Sequence, residues 1–380
     1  MRTDVYLTRS AAYLPFSPVG NEEIEDVLGC VGGVPSRARR LVLRSNGIVS
    51  RHYAIDRATG QPAMTNAQLT AAAIRALGDD VGPVDCLATG TSLPDQLMPG
   101  HAVMVHGELG WPPLEAVSCA GVCVAGVAAL KHAWLSVRAG GARRAVATGS
   151  ELVSPVLLAR HFEAEAEHKL HALARRPEIA FEKDFLRWML SDGAGAALLE
   201  DQPGGGAQPS LRVEWIELSS AAHELPVCMY AGADKDAGGA LQGWMHFDPA
   251  QWGERSVFAI KQDVRLLNEN VVRATLGEPL ARIMQRRALR ADAIDWFLPH
   301  LSSHYFMEPV RACLAQIGLA IPPERWFTNL ATRGNTGSAS PYIMLDELLR
   351  SGRIERGHRL LMFVPESGRF SSGFVYFTAV

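Results

Sequence analysis

The stretch Glu115-Ala116-Val117-Ser118-Cys119-Ala120-Gly121-Val122-Cys123-Val124-Ala125-Gly126 decides how the chain is read. An apolar strand end, a run of small residues around a cysteine and an Ala- and Val-rich helix follow in quick order. A cysteine in the first turn of a buried helix lies near unpaired backbone N–H groups and the positive end of the helix dipole. Both favour the thiolate, which is the nucleophilic form. The pattern therefore makes Cys119 a candidate nucleophile and Cys123, one turn on, a packing residue. A small buried cysteine with no chemistry explains the same residues, so the choice rests on the rest of the chain.

Working outward, the helix that follows extends to about residue 138 and stops at Ala139-Gly140-Gly141. A buried strand, 145–149, comes next, and another, 85–91, lies upstream. Gln202 to Pro209, with Pro203-Gly204-Gly205-Gly206, reads as a linker and divides the chain into halves 1–203 and 204–380. The halves match at nearly fixed shifts. Moving by 216 residues places Cys119 on Asn335, Gly141 on Gly357 and the strand 145–148 on 361–364; moving by 210 places 85–90 on 295–300. Two matches in the same order favour a duplicated α/β unit. Facing copies would bring both helix mouths to a pseudo-twofold axis, with Cys119 and the loops carrying His300 and Asn335 in one cleft.

The bulk numbers exclude several classes. The 380 residues carry a net charge of -3, with 48% apolar residues. A nucleic-acid binder would show a basic excess. No apolar run is long enough for a membrane helix or a signal peptide, so a cytoplasmic protein is expected. Six cysteines without a C-x-x-C pair suggest neither a disulfide framework nor a structural zinc. The charged segment 155–188 holds His161, His168 and His171; it reads as a helical cover over a cleft rather than a metal site. Ser191-Asp192-Gly193-Ala194-Gly195-Ala196 lacks the third glycine of a dinucleotide fingerprint and reads as tight packing. A basic cluster, Arg37, Arg39, Arg40 and Arg44, is a solvated face or a contact for a phosphate-bearing substrate.

Five stretches resemble the β-ketoacyl-acyl-carrier-protein synthase III type of thiolase-fold condensing enzyme: Gly47-Ile48-Val49-Ser50-Arg51-His52, Ser118-Cys119-Ala120-Gly121, Ser191-Asp192-Gly193-Ala194-Gly195-Ala196, Leu298-Pro299-His300 and Gly334-Asn335-Thr336. The resemblance implies a five-layer αβαβα fold from two duplicated α/β halves, and a catalytic set Cys119, His300 and Asn335. It implies an oxyanion hole from the Cys119 and Gly368 N–H groups, no cofactor, and coenzyme A or acyl-carrier-protein thioesters as substrates. It also implies a homodimer. Arg51 is a candidate for the phosphate arm, Met98 for setting chain length and His304 for contacting substrate. The implied reaction is a decarboxylating Claisen-type condensation on an acyl-cysteine, with acyl transfer to oxygen or nitrogen, or a non-catalytic partner subunit, as alternatives.

Three departures point to a specialised branch, such as the enzymes making dialkylresorcinols or cyclohexanediones, rather than the start of fatty-acid synthesis. His300 is followed by Leu301-Ser302-Ser303-His304, Tyr305 stands where the family carries a basic residue, and Arg369 replaces a glycine.

Overall fold

Strands buried on both faces need a layer on each side, and this chain has several. The computed structural model describes residues 3–36, 39–163, 185–206, 208–236 and 238–380, so His168 and His171 lie outside the described residues. Nine strands form its main sheet: β1 (Tyr6–Tyr13), β2 (Cys86–Thr91), β3 (Glu115–Ala120), β4 (Arg144–Glu151), β5 (Gly193–Glu200), β6 (Leu211–Ser220), β7 (Trp296–Pro299), β8 (Arg359–Pro365) and β9 (Ser371–Ala379). Their order is β7-β8-β9-β6-β1-β5-β4-β2-β3.

The repeat read from the sequence is present in this order. β4 runs parallel to β2 and antiparallel to β5, which pairs antiparallel with β1. β8 runs parallel to β7 and antiparallel to β9, which pairs antiparallel with β6. The outer neighbour of β2 is β3, and that of β7 is a parallel bridge at Trp326. The two sets join through a short antiparallel pairing of β1 with β6, Tyr6 opposite Arg212 and Leu7 opposite Leu211.

Three cores show the layering. Helices α3 (Ala125–Arg138) and α7 (Ser340–Arg350) share one core with inward residues of both sets, including Ala145 and Ala147 on β4 and Met362 and Val364 on β8. Alternate residues of the same strands face outward. Leu87 and Val146 meet α1 (Asn66–Arg75) and α2 (His101–Leu109). Leu361 and Phe363 meet α4 (Val264–Val272), α5 (Glu278–Arg287) and α6 (Met307–Gln316). Helices, strands, helices, strands and helices give the expected five layers. Each fully buried aliphatic side chain in them contributes roughly 1.5–3 kcal/mol.

Thr65 caps α1: its side chain accepts the Gln68 N–H and Gln68 answers in a capping box. Asn66 is a buried tie, its amide donating to Thr91 Oγ1 and the Leu93 carbonyl. One expectation shifts: Cys119 lies in strand β3, and α3 begins only at Ala125. Gly121, at φ +152, turns the chain between them.

The two helix mouths meet without space to spare. A Cβ on Gly149 would stand 2.1 Å from the Ser338 carbonyl oxygen, and one on Gly126 2.3 Å from the same atom. The Tyr342 hydroxyl donates to the Gly126 carbonyl at 2.8 Å. Gly149→Ala should therefore lower stability by about 3 kcal/mol, since backbone has to move rather than a side-chain tip. A denaturant titration giving less than a third of that loss would show the contact to be soft.

Candidate active site

Which cysteine faces the cavity is settled by where the strand ends. Cys119 pairs opposite Gly90 on the edge strand and packs half-buried against the central core. Cys123 sits four residues on, in the turn that leads into α3, with the Ala125 N–H bonded back to the Val122 carbonyl. It is Cys123 that occupies the helix mouth, so the argument made for Cys119 transfers to it.

Cys123 lines two adjoining cavities, of about 180 Å3 and about 30 Å3. Asn335 lines the larger and His300 the smaller, while Ser302 and Ser367 line both. Cys119 lines neither. The structure thus brings His300 and Asn335 together around a cysteine, and the cysteine is Cys123. The larger cavity is walled mostly by apolar side chains, among them Leu93, Val153, Leu186, Met189 and Ile260.

His300 follows β7, and its N–H donates to the Phe363 carbonyl at 2.8 Å. Its ring is buried, and neither Nδ1 nor Nε2 has a hydrogen-bond partner. Burial pushes its pKa down to about 4, so the imidazole is neutral at pH 7 and carries one N–H to offer. Asn335 is held by its backbone, its N–H donating to Met189 and its carbonyl accepting from Ser191. Its Oδ1 accepts the Gly337 N–H at 3.0 Å, which turns Nδ2 away as a donor for a guest. The Cys123 thiol is pushed up by burial first, then by the charges of Glu151 and Glu366. At pH 7 it is therefore a thiol.

The remaining candidates fare differently. Gly368 stands beside Val122 in the last turn, but its N–H donates to Glu366 Oε1 at 2.9 Å and it lines neither cavity. Arg51 is 0% exposed, and its guanidinium donates to Asn21 Oδ1 and the Trp188 carbonyl. It is a structural tie with no face for a phosphate. Met98 is 82% exposed and outside both cavities. His304 is partly buried and also outside them. Asp192 is a structural carboxylate, accepting the N–H groups of Ala54, Val153 and Ser154. Apart from the cavities, Cys86, Glu115 and His132 place ligand atoms within 4.8 Å of one another. Cys86 and Glu115 open β2 and β3 and His132 lies on α3, away from Cys123 beyond the closing end of β3.

Glu151 has no counterpart in the sequence reading. It closes β4, is buried, and lines the larger cavity with Cys123 and Asn335. Burial pushes its pKa up to about 7, against the pull of bonds from Ser92 and Ser338. An acid after Thr148-Gly149-Ser150 looks like an ordinary strand-to-turn polar residue. Only the parallel neighbour β2, which sets Ser92 against it, reveals the burial.

Comparisons with known proteins bear on the family likeness and the fold. Residues 284–379, which contain His300 and Asn335, match the model of the 3-oxoacyl-[acyl-carrier-protein] synthase III C-terminal family. The β-ketoacyl-[acyl-carrier-protein] synthase III of Xanthomonas oryzae pv. oryzae is 26% identical over 372 residues, 98% of this chain and 96% of that protein. Among solved structures, the tetronic acid condensing enzyme AbyA1 superposes with a TM-score of 0.72 at 21% identity, covering 99% of this chain and 100% of its own. OleA of Xanthomonas campestris, crystallised as a variant with lauric acid and lauroyl-CoA, gives 0.72 at 17% identity, covering 100% of both chains. Among the described residues, no helix is long and apolar enough to cross a membrane.

Proposed function

We propose that this chain, which belongs to the 3-oxoacyl-[acyl-carrier-protein] synthase III family of thiolase-fold proteins, is an acyltransferase that joins two acyl thioesters by decarboxylating Claisen-type condensation, with Cys123 carrying the first acyl group. The observation that carries the assignment is the position of Cys123 where the His300 and Asn335 cavities meet.

The residues suit two half-reactions. In the first, the Cys123 sulfur attacks a thioester carbonyl while its proton leaves, and the coenzyme or carrier thiol departs. The helix mouth supplies backbone N–H groups to the developing oxyanion. In the second, a malonyl-type thioester loses carbon dioxide and leaves an enolate. The neutral His300 N–H and Asn335 Nδ2 are the donors for that enolate oxygen. The enolate carbon then attacks the acyl-Cys123 carbonyl, and the sulfur leaves.

The apolar cavity wall suits an aliphatic acyl chain on coenzyme A or an acyl-carrier protein. Tyr305, 53% exposed, stands where the family has its basic docking residue, which supports a specialised pathway over the start of fatty-acid synthesis. A homodimer follows from the same reading. Support for it comes from β3, an edge strand with exposed residues, and from the exposed apolar side chains of Leu97 and Met98.

Intact-mass analysis after incubation with a panel of acyl-CoA thioesters tests the assignment. One acyl group should be added per chain, map to the peptide containing Cys123, and disappear on adding malonyl-CoA with matching release of carbon dioxide. Product without carbon dioxide from malonyl-CoA would sink the decarboxylating reading.

A further inference from the structure

The opening ends of two strands and one face of α3 hold a cluster that the acyl chemistry does not use. β2 and β3 run parallel, with Cys86 opposite Glu115, the first residue of each strand. Helix α3 presents His132 and Ser136, one turn apart, to this pair. His132 Nε2 stands 3.0 Å from Glu115 Oε1, and the Ser136 hydroxyl donates to Glu115 Oε2 at 3.4 Å. The ligand atoms of Cys86, Glu115 and His132 all lie within 4.8 Å of one another. Each is carried by a strand or a helix, so the backbone fixes their spacing. No C-x-x-C pair announces the group in the sequence, because three separate elements supply it.

A hydrogen-bonded His–Glu pair beside a buried thiol is the plain account, and it leaves negative charge poorly matched. Cys86 is fully buried; burial first, and then the Glu115 charge, push its thiol up to about 11. Among the described residues, His132 is the only basic residue paired with Glu115. Neighbouring Asp85 is already engaged, its Oδ2 accepting the Arg143 and Arg144 N–H groups. Sulfur, imidazole and carboxylate thus converge with no lysine or arginine between them. That mixed donor set suits Zn2+, around which four ligand atoms stand roughly 3.3–3.8 Å apart. A 3.0 Å pair inside a 4.8 Å limit brackets that spacing. The side chains of His132 and Glu115, 35% and 50% exposed, have room to rotate onto it.

We propose that Cys86, Glu115 and His132 bind one zinc-class divalent cation, with water or the Ser136 hydroxyl in the fourth position, and that the ion clamps α3 to the opening ends of β2 and β3. As the sulfur–metal bond forms, the thiol proton passes to solvent. His132 binds through Nε2 and carries its proton on Nδ1. Thiolate and carboxylate together match the charge of the ion. The clamp grips α3 about two turns beyond its first residue, Ala125, and is independent of the acyl-Cys123 reading.

The test titrates Co2+ and then Zn2+ into chelator-treated full-length protein carrying Cys123→Ala, which removes the cavity thiol from contention. One Co2+ per chain should bind, with a sulfur-to-cobalt charge-transfer band and the intense visible absorption of a four-coordinate site, and Zn2+ should displace it. Cys86→Ser should erase the charge-transfer band, while His132→Ala and Glu115→Gln should each weaken binding by at least about tenfold. Zn2+ should raise the thermal unfolding midpoint, and raise it less in the His132→Ala chain. His132 and Glu115 are partly exposed, so if Cys86→Ser fails to fold, those two variants decide. No bound Co2+, a charge-transfer band that survives Cys86→Ser, or an affinity untouched by His132→Ala and Glu115→Gln would overturn the site. Binding without a rise in the unfolding midpoint would overturn the clamp. Failure of acyl loading in the wild type would leave both standing.

Discussion

Cys123→Ala abolishes acyl loading and lowers condensation by at least about four orders of magnitude, whereas Cys119→Ala loads like the wild type. Cys123 lines both cavities and stands two residues before the first helical residue of α3. No other cysteine lines either cavity, so no thiol can replace it. Cys119 is held in a ladder opposite Gly90, and its side chain packs half-buried on the central core. Truncating it removes one sulfur from a partly solvated edge, worth ~1 kcal/mol or less. Intact-mass spectrometry of the two variants with one acyl-CoA decides the matter. Loading retained by Cys123→Ala and lost by Cys119→Ala would reverse the assignment.

That confusion of two cysteines marks where the sequence stops being legible. The duplication was readable because buried strands repeat at nearly constant spacing: β4 on β8 at a shift of 216, and β2 on β7 at 210. His300 and Asn335 followed, since each lies in a loop at the end of an element the repeat had located. The start of α3 was not readable in the same way. Cys119 and Cys123 are four residues apart, the spacing that puts two side chains on one face of a helix. A helix begun too early makes the first cysteine the mouth and the second its neighbour. The signal against it was Ala120-Gly121, where a glycine in the opening turn costs about 1 kcal/mol against alanine. Burial of charge was the other blind spot. Arg51 in a basic stretch and Glu151 after a strand both look solvated in one dimension. Their partners Asn21, Trp188, Ser92 and Ser338 are distant in the chain. Met98 is exposed in the single chain and lines neither of its cavities, so its part in setting chain length has no support within one chain.

His300→Ala and Asn335→Ala are each expected to keep acyl loading within about three-fold of wild type while slowing carbon–carbon bond formation by ~100- to 1,000-fold. Each removes one neutral donor from the enolate oxygen, a charge that exists only after loading is complete. Combining them should cost less than the product of the single losses, because the two donors serve one oxygen. Single-turnover kinetics starting from pre-acylated enzyme separate the steps; a loading defect as large as the condensation defect would refute the division of roles. The same histidine leaves a mark on stability that activity does not read. Its pKa falls from 6.5 to about 4 on folding, so between those values the unfolded chain holds the extra proton and stability rises with pH. Glu151 moves from 4.5 to about 7, so the folded chain holds the extra proton and stability falls with pH over that window. Each is worth about 3 kcal/mol, and in the wild type they oppose each other from about pH 4.5 to 6.5. His300→Ala should therefore expose a decline in unfolding free energy from pH 4.5 to 7, and Glu151→Gln a rise from pH 4 to 6.5. Parallel profiles for the two variants would mean that these groups are not buried as a neutral imidazole and a carboxyl of raised pKa, and the donor role of His300 would fall with that result.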